Sequence, residues 1–196
     1  GCGKSTLATS IIGLHNLNNT RIEGEINFEG KNLLKLGEEE YNKIRGNKIG
    51  MIFQDPLSAL NPLMRIGEQI EEGMIYHTKL SKTEREARML ELLQNVGIKN
   101  PKRVAKQFPH ELSGGMRQRV MIAIALSCKP KIVIADEPTT ALDVTVQAQI
   151  LDLMADIQKQ MGMSIILITH DLGIVADKAD DVVVMYAGQI VEQGKT

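Results

Sequence analysis

Tryptophan is absent from the 196 residues and all aromatics together make up 3%, so the chain has few platforms on which unpaired bases could stack. The formal net charge is -1 and no basic run interleaves with the aromatics, so no electrostatic footprint for nucleic acid is present. Cys2 and Cys128 are too few and too isolated for a disulfide framework or a zinc site, which favours a reducing, cytosolic setting. No apolar run approaches the ~18 residues that cross a bilayer, and no signal peptide is visible. A membrane process served by this chain would draw its membrane-spanning parts from other chains. Internal repeats and low-complexity tracts are missing too. What is there is ordinary for a globular protein, 43% apolar and 24% charged, with length for one sizeable core or a core plus a small subdomain.

The most informative stretch is Lys131 to Asp143. Ile132, Val133, Ile134 and Ala135 make a short run rich in β-branched residues, which predicts a strand covered on both faces. Asp136 and Glu137 emerge at its carboxyl end, where open α/β sheets bind ligands. Adjacent acids repel each other unless negative charge is used there, and a phosphate-bound Mg²⁺ with an attacking water would use it. A solvated acidic turn is the plain alternative.

Gly1 to Thr6 matches the last five positions of the loop G-x-x-x-x-G-K-[ST] and adds a threonine. Such a loop cradles phosphate oxygens with backbone N–H groups at a helix start, its lysine reaching the β- and γ-phosphates and its serine ligating Mg²⁺. A small-residue helix start would look the same. The spacing predicts a helix from Lys4 to about Leu14 with Leu7, Ile11 and Leu14 on one face.

Ile22 to Phe28 predicts a half-exposed antiparallel strand, with a turn at Glu29-Gly30-Lys31. Ile49 to Phe53 predicts another strand, which delivers Gln54 and Asp55 to its end. The pattern then turns helical. Ile66, Gln69, Ile70 and Met74 mark one helix, and the capping box Ser81-Lys82-Thr83-Glu84 opens a second that buries Ala87, Leu90, Leu93 and Val96 and ends at Gly97. Arg85, Glu86, Arg88 and Glu91 read as its solvated face.

Leu112-Ser113-Gly114-Gly115 leads into an apolar helix, a second helix start able to meet an anion. One γ-phosphate needs one such start from each of two subunits, which suggests a head-to-tail dimer. Asp143 caps a helix to Gln160 with Val146, Ile150, Leu153 and Ile157 inward; Ser164 to Thr169 reads as a buried strand ending in His170; and 181–192 reads as a hairpin about Ala187-Gly188. Strands alternating with helices predict a mainly parallel α/β sheet.

The order of Gly3-Lys4-Ser5, Gln54, Leu112-Ser113-Gly114-Gly115, Asp136-Glu137, Asp143 and His170 resembles the nucleotide-binding subunit of an ABC transporter over essentially the whole chain. Three longer stretches, 53–62, 114–123 and 137–149, are similar to the oligopeptide, dipeptide and nickel import branch, and Met116 points to its Leu-Ser-Gly-Gly-Met subunit type. The resemblance implies a P-loop NTPase (RecA-like) core with an antiparallel β portion, formed by 1–56 and 113–196, and an inserted helical subdomain over 57–112. It implies an ATPase that powers import through a separate membrane permease, with ATP and Mg²⁺ as cofactors.

By the same resemblance Gly1, Cys2, Gly3, Lys4, Ser5 and Thr6 bind phosphate, and Ser5, Gln54 and Asp136 serve the metal. Glu137 is the general base, His170 contacts the γ-phosphate, Gln54 senses metal and links to the permease, and Ser113, Gly114, Gly115 and Asp143 act across a dimer. The implied partners are permease subunits, a second ATP-binding subunit and, indirectly, an extracytoplasmic solute-binding protein, with no nucleic acid, at the cytoplasmic face of the membrane. The strand and adenine-stacking aromatic that precede the loop in the family, and its C-terminal extension, lie outside this sequence. The expectation is of a partial record of a longer protein that alone melts poorly and binds ATP weakly. Chromosome-maintenance and DNA-repair ATPases share the motifs but carry a long coiled coil or zinc modules between Gln54 and Ser113, where this chain has a compact helical insert, and translation-associated ATPases carry two such domains. The sequence does not identify the cargo.

Overall fold

The computed structural model describes residues 2–15, 19–140 and 142–196. Helix α1 (Lys4–Ile11) starts from Gly3, whose φ of 93° lies in the left-handed region open to glycine. It ends earlier than the spacing predicts, and its packed residues are Ala8 and Ile12, while Leu7 and Leu14 are exposed. The cause is a cap built by a distant segment. Tyr41 donates its hydroxyl to Ile11 O at 2.8 Å, and Arg45 donates Nε to Ile12 O and Nη2 to Gly13 O, both at 2.9 Å. A cation on the last carbonyls satisfies them and complements the helix dipole.

The expected strand over 22–28 shrinks to a two-residue pair, β1 (Asn27–Phe28) with β2 (Lys31–Asn32), joined by Glu29 and Gly30, both at positive φ. Glu29 is paired with both Lys48 and Lys131, which tie this turn to the main sheet. Its hydrogen bonds to Lys131 and then Lys48 hold its carboxyl at about 2. A depressed folded-state value stabilises the fold above the ordinary carboxylate range and is lost as pH falls toward about 2. Glu29→Gln is therefore expected to destabilise modestly at neutral pH, more at low salt, and to match wild type near the bottom of that window. Denaturant melts at both pH values check it.

A short helix α2 (Glu38–Asn42) precedes β3 (Ile49–Ile52). Between β3 and the next strand the chain is helical, as expected: α3 (Pro56–Ala59), α4 (Ile66–His77), α5 (Lys82–Asn95), α6 (Pro101–Val104), a 3₁₀ turn at Pro109–Glu111, and α7 (Gly114–Leu126). The Ser81/Glu84 capping box is formed, and Gly97 closes α5 at φ 80°. The buried stripe of α5, however, is Met89, Leu92 and Leu93 with Val96, not Ala87 and Leu90. Arg85 and Arg88 are half-buried rather than solvated: Arg85 pairs with Glu71 at 3.6 Å, and Arg88 Nε donates to Ser127 O at 2.8 Å. Their aliphatic stems cover apolar surface while the heads find oxygens. Desolvation lowers the Arg88 guanidinium below its ordinary value.

Strand β4 (Ile132–Asp136), helix α8 (Val144–Met161) and strand β5 (Ser164–Ile168) follow, and β3-β4-β5 form a parallel sheet in that order. Val133 and Ala135 belong to the larger core under α4, α5, α7 and α8, whereas Ile134 joins the smaller core with Ala8, Leu33 and Ile49. The sheet is thus covered on both faces at β4, as its β-branched run predicts. β5 is not the buried strand expected: among the described residues it pairs only with β4, and Ile166 is exposed. In α8 the fully packed residues are Ile150, Leu151, Met154 and Ile157, with Val146 and Leu153 only partly buried. Helix α9 (Leu172–Lys178) leads to the antiparallel hairpin β6 (Asp181–Tyr186) and β7 (Gln189–Lys195), turned at Ala187-Gly188 with both residues at positive φ, the geometry that suits a two-residue hairpin. Among the described residues no helix is long and apolar enough to cross a membrane.

Candidate functional site

Three chain segments bring their polar residues to the carboxyl end of β4. From the first, Ser5 in the opening turn of α1 donates its hydroxyl to Asp136 Oδ1 at 3.1 Å. Asp136 is buried, and this hydroxyl is its one side-chain hydrogen-bond donor among the described residues. The first-turn amides of a helix have no partner within it, so those of Lys4, Ser5 and Thr6 present an anion-accepting end. Lys4 Nζ rests 3.6 Å from Cys2 Sγ, and Gly188 N donates to Cys2 O at 3.1 Å, so the β6–β7 turn pins the loop from below. Gly1 lies outside the described residues.

The second cluster is centred on Glu137. This residue follows the last residue of β4, its amide donates to Ile168 O at 2.9 Å, and its φ is 44°. A glutamate in the left-handed region stores about 1 to 2 kcal/mol of strain, held here by the turn that follows. Gln54 Nε2 donates to Glu137 Oε2 at 3.2 Å, Thr140 Oγ1 donates to the same oxygen at 2.9 Å, and His170 Nδ1 lies 3.5 Å from Oε1. Gln54 comes from the end of β3 and His170 from the end of β5, so neighbouring strand tips aim both at the middle one.

Ser113, Gly114, Gly115 and Asp143 stand apart. Ser113 Oγ accepts from Met116 N at 3.4 Å and Asp143 Oδ1 accepts from Val146 N at 3.0 Å, each capping its helix. The two starts touch each other: a Cβ on Gly115 would lie 3.1 Å from Val146 Cγ1. Among the described residues no hydrogen bond or ion pair joins this group to Lys4, Ser5 or Glu137.

Two residues in this region are missing from the sequence-based site. Thr140 is one, and its signal was its place three residues beyond Glu137 in a Pro-Thr-Thr turn. Gln69 is the other. Buried on α4, it accepts from Asn61 N at 3.0 Å and donates to Asn61 O and Met64 O, both at 2.9 Å, clamping the loop that follows Gln54 and α3. Its helical spacing marked it as inward but gave no partner.

The family model described as ABC transporter matches residues 1–140. The oligopeptide transport ATP-binding protein of Lactococcus lactis subsp. cremoris (strain SK11) is 59% identical over 193 residues, which are 98% of this chain and 57% of that protein. The dipeptide transport ATP-binding protein of Lactococcus lactis subsp. cremoris (strain MG1363) is 55% identical over 195 residues, 99% of this chain and 56% of that protein. The chain therefore spans little more than half the length of these relatives. Among solved structures, a dimeric ATP-binding cassette in a post-hydrolysis state with ADP and Pi bound superimposes with a TM-score of 0.85 at 33% identity, covering 99% of this chain and 81% of that one. With the motif order, the parallel sheet and the cassette likeness in agreement, the chain belongs to the ABC transporter family.

Proposed function

We propose that the protein binds and hydrolyses ATP and that the full-length chain couples this to import of peptides, or of related small solutes such as nickel, through a separate integral-membrane permease. The observation that carries the reading is the convergence of Gln54, Thr140 and His170 on one carboxylate, Glu137, next to the bond from Ser5 to the buried Asp136. The names of the peptide transport relatives support the cargo class.

In this reading Lys4 and the amides from Cys2 to Thr6 hold the phosphates. Ser5, Asp136 and Gln54 offer only oxygen ligands, and Asp136 is a buried carboxylate with a single donor among the described residues, a set that fits Mg²⁺. When bound, Mg²⁺ neutralises charge on the β- and γ-phosphate oxygens. Glu137 accepts a proton from the attacking water, Gln54 and Thr140 fix its orientation, and His170 donates toward the γ-phosphate. Ser113, Gly114, Gly115 and Asp143 serve the nucleotide of a second, head-to-tail ATP-binding subunit, which is why they stand apart within one copy. Residues 57–112 act as a helical subdomain on the catalytic core of 1–56 and 113–196, with the 54–64 loop facing the permease at the cytoplasmic face of the membrane. An extracytoplasmic solute-binding protein would act only through the permease.

The test is ATP-driven uptake of a labelled tripeptide by proteoliposomes holding the full-length protein and its permease. Lys4→Ala is expected to weaken ATP binding about 10- to 100-fold, the loss of one charge-assisted contact at ~1.5 to 3 kcal/mol, and to abolish uptake. Hydrolysis without uptake would sink the peptide reading, and unchanged ATP affinity in Lys4→Ala would sink the assignment of the loop.

A further inference from the structure

Beside α7 lies an open cavity of about 450 Å³ between the end of α5, α6 and the first turns of α7, sharing no lining residue with the Glu137 cluster. Its apolar lining comes from Ile98, Val104 and Met116, and its cationic lining from Lys99, Arg103 and Arg119. Ile98 and Val104 are buried, whereas Lys99 and Arg103 are exposed. None of the three cations forms an ion pair among the described residues. The lining also holds one acid, Glu111, whose carboxylate accepts from Phe108 N at 2.7 Å, so its cations outnumber its acids three to one. A second cavity of about 630 Å³ shares Lys99 and Arg103 and adds Lys102 together with one acid, Glu91.

Arg119 is oriented in advance. Its Nη1 donates to Val96 O at 2.7 Å and its Nη2 lies 3.4 Å from Gln149 Oε1, while a guanidinium has five donors in all. Holding that fork in place leaves donors in a geometry suited to carboxylate or phosphate oxygens and lowers the entropy lost on binding. Unpaired cations along a concave wall raise the local concentration of anions. An apolar floor beneath a cationic rim selects an anion with an apolar body rather than a bare inorganic ion.

We propose that this cavity binds a small organic anion, an apolar group bearing a phosphate or carboxylate, at a site separate from the nucleotide residues. Its occupant would rest on Met116, whose amide closes the Ser113 cap, so the ligand touches the start of α7 directly. The site stands independently of the ATPase reading.

The test labels methionine methyl groups with ¹³C in the full-length protein, assigns Met116 by Met116→Leu, and titrates phenyl phosphate and phenylacetate separately. A saturable shift of the Met116 signal with a midpoint below about 10 mM is expected, persisting in Lys4→Ala and weakened about tenfold or more in the exposed double variant Lys99→Gln/Arg103→Gln. The tighter probe identifies phosphoryl or carboxylate chemistry, and either sustains the site. No saturable Met116 shift with either probe, or a titration unaltered in the double variant, overturns it.

Discussion

Glu137→Gln is expected to keep ATP binding and lose hydrolysis by about 10²- to 10⁴-fold, the usual contribution of a positioned general base. The substitution is nearly isosteric, and the geometry explains why the fold should tolerate it. The Gln54 amide and the Thr140 hydroxyl both donate to Oε2, at 3.2 and 2.9 Å, and a glutamine can present its carbonyl oxygen to both. Its NH₂ then faces His170 Nδ1, which accepts when the ring is neutral and carries its proton on Nε2. What is lost is the ability to take a proton from water. In rate terms the loss amounts to about 3 to 5 kcal/mol of barrier. Single-turnover phosphate release, with nucleotide affinity and oligomeric state followed in parallel, would show a variant that binds ATP and stalls as a closed dimer. Hydrolysis within a few-fold of wild type would remove Glu137 from the mechanism.

Gly50→Ala is expected to be the most destabilising single methyl addition in the sheet. Gly50 sits in the middle of β3, paired with Val133, and a Cβ there would lie 2.6 Å from Ala125 O and 3.4 Å from Pro130 Cγ. The obstacle is a backbone carbonyl in the last turn of α7, which cannot rotate away as a side chain could. Either α7 moves off the sheet or β3 slips, at about 1 to 3 kcal/mol or more. Against a net stability of ~5 to 15 kcal/mol this is a large fraction, and it corresponds to a fall in Tm of several degrees, at about 2 to 4 °C per kcal/mol for a domain of this size. A wild-type thermal melt for Gly50→Ala would show that α7 is not seated on β3 as described.

The sequence by itself determined the features whose information lies within a few residues. The β-branched run ending in Asp136-Glu137 specified a buried strand with acids at its tip, and β4 has that form. The Ser81/Glu84 box, the Ser113 and Asp143 caps and the Ala187-Gly188 turn are likewise local hydrogen-bond or dihedral rules, legible from spacing alone. Tertiary structure decided the rest. Helical periodicity on α5 fitted the Ala87, Leu90, Leu93 stripe as well as the Met89, Leu92, Leu93 one, and the surface that α5 packs against selected the second. Arg85 and Arg88 read as solvated until Glu71 and Ser127 O came within reach. Ser164–Ile168 reads as buried by composition, yet burial also requires a strand or helix beside it, and among the described residues β4 is its only partner. The Gln69 clamp depends on how the loop before α4 folds back over it, and the Gly50–Ala125 contact joins residues 75 positions apart. A side chain's own chemistry and its near neighbours fix how the backbone turns, but which face is covered and which atoms meet depend on distances set only when the elements pack.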